Sequence, residues 1–306
     1  MKIVLSAILL VTAFFTQAQS YEAKIAEAWQ HYTEENYEAS AKAYEVAFAM
    51  QEADATQYYN AACSRALAGD SSMALAHLRV AAEKGWKDLN HIKTDGDLES
   101  LRQLEGWPVV LEQVAENKQE YEKDFDQELK ARLEKIYVQD QTLRQLYREA
   151  EEKFGRDSEE MNYFWSLMAE EDSASLAAVK EILDEHGWVG KSEVGGKANM
   201  TLFLVIQHSP LEVQQQYLPL MKESVEKGES SGRHLALLVD RVRMRNGKPQ
   251  LYGSQITMDK ESGEQVVYDV YKPEYVDQRR AEVGLEPLNE YVKRFGLEWK
   301  VEQKTR

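Results

Sequence analysis

Tyr37-Glu-Ala-Ser-Ala-Lys-Ala-Tyr44-Glu-Val-Ala47 has a partner further along the chain, Asp70-Ser-Ser-Met-Ala74-Leu-Ala-His-Leu78-Arg-Val-Ala81. An offset of 34 residues superposes them, pairing Ala47 with Ala81, Ser40 with Ala74 and Tyr44 with Leu78. The same offset brings Ala28 onto Ala62 and Glu35-Asn36 onto Gly69-Asp70. Small residues at fixed helical spacing let two helices approach closely, and one aromatic or leucine side chain per pair fills the groove between them. The pattern therefore predicts two helical hairpins of the same build, one stacked on the other.

A 34-residue period of paired helices resembles the tetratricopeptide repeat, over about residues 21–117. Ser40 stands where that family prefers Ala, and no proline closes either repeat. Two repeats fall short of the three usually needed for a continuous core. Residues 86–117 are expected to supply the missing layer, with Leu89, Ile92, Leu98, Leu101 and Leu104 at helical spacing and Trp86 and Trp107 at the end of the stack. The resemblance implies a concave surface that grips a peptide or a partner protein. A stabilising appendage without a ligand is the plainer alternative.

Upstream of the repeats, Met1-Lys2 precedes the apolar run from Ile3 to Phe15, too short to cross a bilayer, and Thr16 and Ala18 are the small residues of a cleavage site. These features predict a secretory signal peptide over residues 1–18 and an exported protein, periplasmic or secreted. No later segment is apolar for long enough to span a membrane, so no stable membrane insertion of the mature chain is expected. With 306 residues, 43% of them apolar, the chain has room for two domains with cores of their own: a repeat module over 19–118 and an α-rich domain over 119–306. The formal net charge of −16 is spread over both, which disfavours nucleic acid as a partner, because phosphate neutralisation needs clustered lysine and arginine. Cys63 is the only cysteine and lies among Ala61, Ala62 and Ala66, so it reads as a packing residue.

The second module begins with a highly charged helix whose apolar positions are Leu129, Leu133, Ile136, Leu143, Leu146 and Tyr147. Gly155 ends it and Asp157-Ser158 caps the next, whose expected buried face includes Met161, Phe164, Trp165, Met168, Val179 and Ile182. Met200-Thr-Leu-Phe-Leu-Val-Ile-Gln207-His208 is the most apolar segment and reads as a central helix ended by Pro210. Two amphipathic helices follow. Gln250–Thr257 and Gln265–Val270 have strand composition around the turn residues of Asp259–Gly263, which predicts one β-hairpin. The fold class is therefore mainly α: a tetratricopeptide-like helical hairpin stack, then an α-rich domain with one β-hairpin.

Within that second module, Gln139-Asp-Gln-Thr-Leu-Arg144, His186-Gly-Trp188, Leu204-Val-Ile-Gln-His208, Asp240-Arg-Val242, Gln250-Leu-Tyr-Gly-Ser-Gln255 and Val276-Asp-Gln-Arg-Arg-Ala281 occur in that order. Together they resemble the bacterial domain of unknown function 6624, over about residues 125–295. Members often carry Pro at the position of Val189 and Thr at that of Ser254. The resemblance implies a shared fold and carries no activity with it.

Chemistry-bearing motifs are sparse. There is no His-Glu-x-x-His, the six histidines form no helical ligand pair, and Gly253-Ser254-Gln255 is not a nucleophile elbow. No motif asks for a metal or a cofactor. What remains is a polar constellation: Asp140, Gln141, Arg144, Gln207, His208, Asp240, Arg241, Tyr252 and Gln255. Asp140 and Arg144 share a helix face at i, i+4, Gln207-His208 ends the most apolar helix, and Asp240-Arg241 follows the apolar run Leu235–Val239. One reading is a buried network that holds helices to hairpin. The other is a hydrolase-like cleft in which His208 is acid or base beside Asp140 or Asp240, with Arg144 or Arg241 on an anionic group. The first, in an exported interaction or scaffold protein binding a peptide, protein or small polar ligand, is the leading expectation.

Overall fold

The computed structural model describes residues 20–305, so the leader expected over 1–18 lies outside the described residues. Contacts divide the chain into two compact units, one running to Lys123 and one from Asp124; Lys118 lies inside a helix of the first.

The first unit is a stack of helices. A helix over 20–33 (α1) pairs with α2 (Tyr37–Met50), and α3 (Ala55–Leu67) pairs with α4 (Ser71–Glu83). A short α5 (Leu89–Thr94), a 3-10 turn (Gly96–Leu101) and α6 (Trp107–Glu122) complete it. Residues related by the 34-residue offset are alike in burial. Ala28 and Ala62, Ala47 and Ala81, Ser40 and Ala74, and Tyr44 and Leu78 are all buried. Ser40 is accommodated where alanine fits because its hydroxyl donates to the Ala28 carbonyl at 2.8 Å and shares a hydrogen bond with Ser64 at 2.9 Å. The turns match as well: Glu35 (φ 59°) and Gly69 (φ 84°) both adopt the left-handed conformation that ends a helix. Asp54, Asp70 and Asp88 cap α3, α4 and α5 by accepting from backbone N–H groups. The expected third layer is present, with Ile92, Leu98 and Leu101 fully buried against α3, α4 and α6. Trp107, expected at the end of the stack, is instead buried in its core, where Gly106 and Pro108 start α6.

The second unit opens with an α-hairpin, α7 (Gln127–Phe154) and α8 (Glu159–His186), capped by Asp126 and Ser158. The short α9 (Lys191–Val194) leads to α10 (Gly196–His208), which is the central helix, packed against α7, α8, α9, α11 (Leu211–Glu226) and α12 (Gly232–Arg245). Its Leu202, Phe203, Val205 and Ile206 meet Leu133, Ile136, Val179 and Ile182 in one core. The core ends near Asp140. Beyond it Met161 stays buried as expected, while Leu146 and Trp165 are exposed, against the sequence expectation; Trp165 lies against Tyr147, ring centroids 5.0 Å apart.

Among the described residues one antiparallel hairpin forms, β1 (Ile256–Met258) with β2 (Gln265–Val267). Both strands are shorter than expected. Residues 251–255 stay outside the ladder because the N–H groups of Leu251, Tyr252, Ser254 and Gln255 donate to side chains, as described below, while Gln250 keeps a backbone hydrogen bond to Asp269. The chain closes with α13 (Val276–Glu282) and α14 (Leu288–Val292), which bury Val276, Leu288 and Val292 together.

Candidate functional site

The sequence-predicted polar residues fall into two clusters rather than one. In the first, Asp140 of α7 is buried, with Oδ1 3.3 Å from Nδ1 of His208 at the end of α10. Arg144, one turn on, directs Nε to that same Nδ1 at 3.1 Å and Nη2 to Asp172 of α8 at 2.7 Å. Gln141 donates to Oδ2 of Asp140 at 2.5 Å. Burial alone would raise the Asp140 carboxyl. The His208 hydrogen bond and charge, with the Arg144 guanidinium, outweigh it and hold the carboxyl below its ordinary value. Every polar atom of Asp140 and Arg144 faces a partner inside the cluster. Asp172 carries no signal of its own in the sequence, because it sits in the acidic run Glu170-Glu171-Asp172, which reads as a solvated face.

The second cluster is built around Asp240, which is fully buried on α12. Its carboxylate accepts from the backbone N–H groups of Leu251 (2.7 Å), Tyr252 (3.1 Å) and Ser254 (3.0 Å), and from the Ser254 hydroxyl (3.0 Å). Burial pushes the Asp240 carboxyl above its ordinary value against the pull of these four donors. Gln250, also fully buried, accepts from the Gln255 N–H and donates to the Gln255 and Tyr268 carbonyls. Arg280 is fully buried and donates to the Tyr252 and Glu286 carbonyls, both at 2.6 Å. Tyr252 thus takes part through its backbone. Gln250, Ser254 and Arg280 do the holding that composition assigned to strand pairing. The Ser254 hydroxyl explains why threonine is compatible with this position.

Arg241 lies between the clusters. Its Nη1 donates to the Gln207 carbonyl at 3.0 Å and its Nε faces Oε1 of Gln255 at 3.4 Å. Gln207 joins through that carbonyl, which also accepts from Gln214. Arg245 takes the Ser209 carbonyl at 3.0 Å. Two arginines of α12 therefore satisfy carbonyls at the C-terminal end of α10, where helical partners run out and a positive charge is favoured. His208 and Asp240 are not partners, so the version of the hydrolase reading that pairs them is set aside.

The first unit contains a feature that no motif announced. A cavity of about 260 Å³ is lined by Trp29, Tyr32, Tyr44 and Tyr59 together with Asp95 and Asp97. The Tyr32 hydroxyl donates to Asp97 at 2.5 Å and the Tyr59 hydroxyl to Asp95 at 2.7 Å. Cys63 is buried as expected, yet its thiol points at the Asp95 carboxylate from 3.7 Å. Burial, reinforced by the two carboxylates, pushes that thiol far up, so it stays protonated. Ligand atoms of Cys63, Asp95 and Asp97 lie within 4.8 Å of one another. Their sequence separation hides them: only the stacking of α1, α3 and the 3-10 turn brings residues 29–32, 59–63 and 95–97 together.

Residues 123–302 match a family of unknown function, DUF6624. The chain belongs to that family. No curated protein and no solved structure matches it. The DUF6624 match begins where the first unit ends and takes in both polar clusters, including the Asp240–Ser254 anchor. The aromatic cavity lies wholly outside the DUF6624 region. No helix among the described residues is long and apolar enough to cross a membrane.

Proposed function

We propose that this is an exported binding protein, periplasmic or secreted, in which the tetratricopeptide-like first unit takes a peptide or protein partner and the DUF6624 unit is a rigid companion domain. The observation that carries the reading is the cavity of the first unit. It is concave and of side-chain size, and the aromatic Trp29 at its edge is 53% exposed. Aromatic residues at the rim of a concavity supply large contact area at low entropic cost, which is the usual make-up of binding sites. The two polar clusters of the DUF6624 unit support the companion role, since their charged groups are engaged within the unit: Arg144 with Asp172, Asp140 with His208, Asp240 with backbone N–H groups, and Arg241 and Arg280 with backbone carbonyls. The hydrolase-like alternative has less to stand on, because Asp140 and Arg144 have partners besides His208, Gln141 on the first and Asp172 on the second.

The test is to probe the full chain against an array of short peptides and to repeat the screen with Trp29→Ala and with Trp165→Ala, an exposed tryptophan of the DUF6624 unit. Saturable binding lost in Trp29→Ala and kept in Trp165→Ala is the expected result. An array on which no peptide binds, or on which Trp29→Ala changes nothing, counts against the reading. Export is tested separately, by N-terminal sequencing of secreted material, which should begin near Gln19.

A further inference from the structure

The cavity of the first unit combines two features seldom found together without a reason. Its lining is aromatic: Trp29 and Tyr32 stack with centroids 5.2 Å apart and planes within 16°, and Tyr59 is stacked on Trp86 at 4.1 Å. The same lining carries two carboxylates two residues apart in sequence, Asp95 and Asp97. Among the described residues no lysine or arginine pairs with either of them. Arg102 donates to the Asp95 carbonyl, not its carboxylate, and His91, 3.6 Å from Asp95, is the one basic side chain within ion-pair distance. The tyrosine hydroxyls orient the carboxylates without neutralising them, and a protonated Cys63 adds no compensating charge. Negative charge beside the faces of electron-rich rings is the arrangement that attracts an organic cation.

We infer that this cavity receives the cationic side chain, ammonium or guanidinium, of a lysine or arginine on the partner, with Asp95 and Asp97 as counter-charges and Trp29 and Tyr32 as the aromatic wall. The inference rests on the binding role proposed above and specifies its chemistry. The aliphatic stem of the residue lies along the rings while its charged end reaches the two carboxylates, as long basic side chains do on apolar surfaces. A side chain uses the whole of this cavity of about 260 Å³, ring faces included, whereas a metal held by Cys63, Asp95 and Asp97 would use only the donor atoms that lie within 4.8 Å of one another. Metal binding would also have to remove the thiol proton that burial holds in place.

The experiment is calorimetric titration of the full chain with blocked pentapeptides, alanine at every position except a central lysine, arginine, norleucine or glutamate. Lysine and arginine peptides should bind at least about tenfold more tightly than the norleucine peptide, which has the same stem without the charge. That preference should shrink with added salt. In Asp97→Asn, which can still accept from Tyr32, it should disappear while the circular dichroism stays unchanged. Should the variant fold poorly, the lysine-to-norleucine ratio in the unaltered chain decides alone. Equal binding of lysine and norleucine peptides overturns the charge recognition and leaves a binding cavity. Absence of binding by every peptide overturns this inference together with the function it rests on. Stoichiometric Zn²⁺ binding that excludes the lysine peptide overturns it in favour of a metal site.

Discussion

Nδ1 of His208 lies 3.3 Å from Oδ1 of Asp140 and 3.1 Å from Nε of Arg144. The carboxylate asks that nitrogen for a proton and the guanidinium asks it for a lone pair. A neutral imidazole can satisfy only one of them, so the ring, the buried acid and the arginine form one coupled unit between α7 and α10. Such a unit holds helices together.

Replacing His208 with alanine should therefore destabilise the fold. Asp140 is buried and would lose its imidazole partner, at a cost of roughly 1–3 kcal/mol. The urea midpoint should drop with an unchanged slope, since the surface exposed on unfolding is the same. A midpoint that does not move would show that His208 is poised for something other than packing.

Acid should weaken the same junction. The Asp140 carboxyl titrates below its ordinary value in the folded chain. Between the ordinary value and the depressed one, the unfolded chain binds a proton that the folded chain refuses, so stability falls as pH falls through that window. Asp140→Asn should flatten this acid limb. Stability curves of the two proteins that run parallel at low pH would contradict the assignment.

Asp240 should matter more than His208. Its substitution by alanine leaves three backbone N–H groups and the Ser254 hydroxyl without an acceptor inside the protein. The expected loss is about 3 kcal/mol or more. Ser254→Thr keeps the hydroxyl and should be close to neutral, while Ser254→Ala should cost about 1 kcal/mol. Thermal melts of the three variants give the order directly.

The two repeat turns allow a matched test. Glu35 holds φ 59° with a side chain that has to tolerate it, whereas its counterpart Gly69 has φ 84° and open space where a Cβ would sit. Glu35→Gly should stabilise the chain by about 0.5–1 kcal/mol and Gly69→Ala should destabilise it by about 1 kcal/mol. Chemical denaturation that shifts both in the same direction would mean that the turns are not equivalent.

The 34-residue offset was legible before any coordinates because it is a local property. Ala28, Ala47, Ala62 and Ala81 are small wherever they go, and helical spacing alone puts them on one face. The central helix α10 was legible for the same reason, as an apolar run with a proline after it. Strand composition misled at residues 250–255, because β-propensity cannot foresee that Asp240, ten residues earlier, will take the backbone donors a strand would have used. Leu146 and Trp165 misled in the opposite sense, since periodicity marks an apolar face without saying whether anything will cover it.

The sequence by itself determined the helical class, the repeat and the list of polar residues that could form a network. Only the tertiary structure decided that His208 belongs to Asp140 and not to Asp240, and that Tyr32 reaches Asp97 across 65 residues of chain. Helical periodicity is set by neighbours three and four positions away and is written in the sequence. Partnerships between distant side chains depend on how packed helices stack, and that is settled by the shape of the core between them.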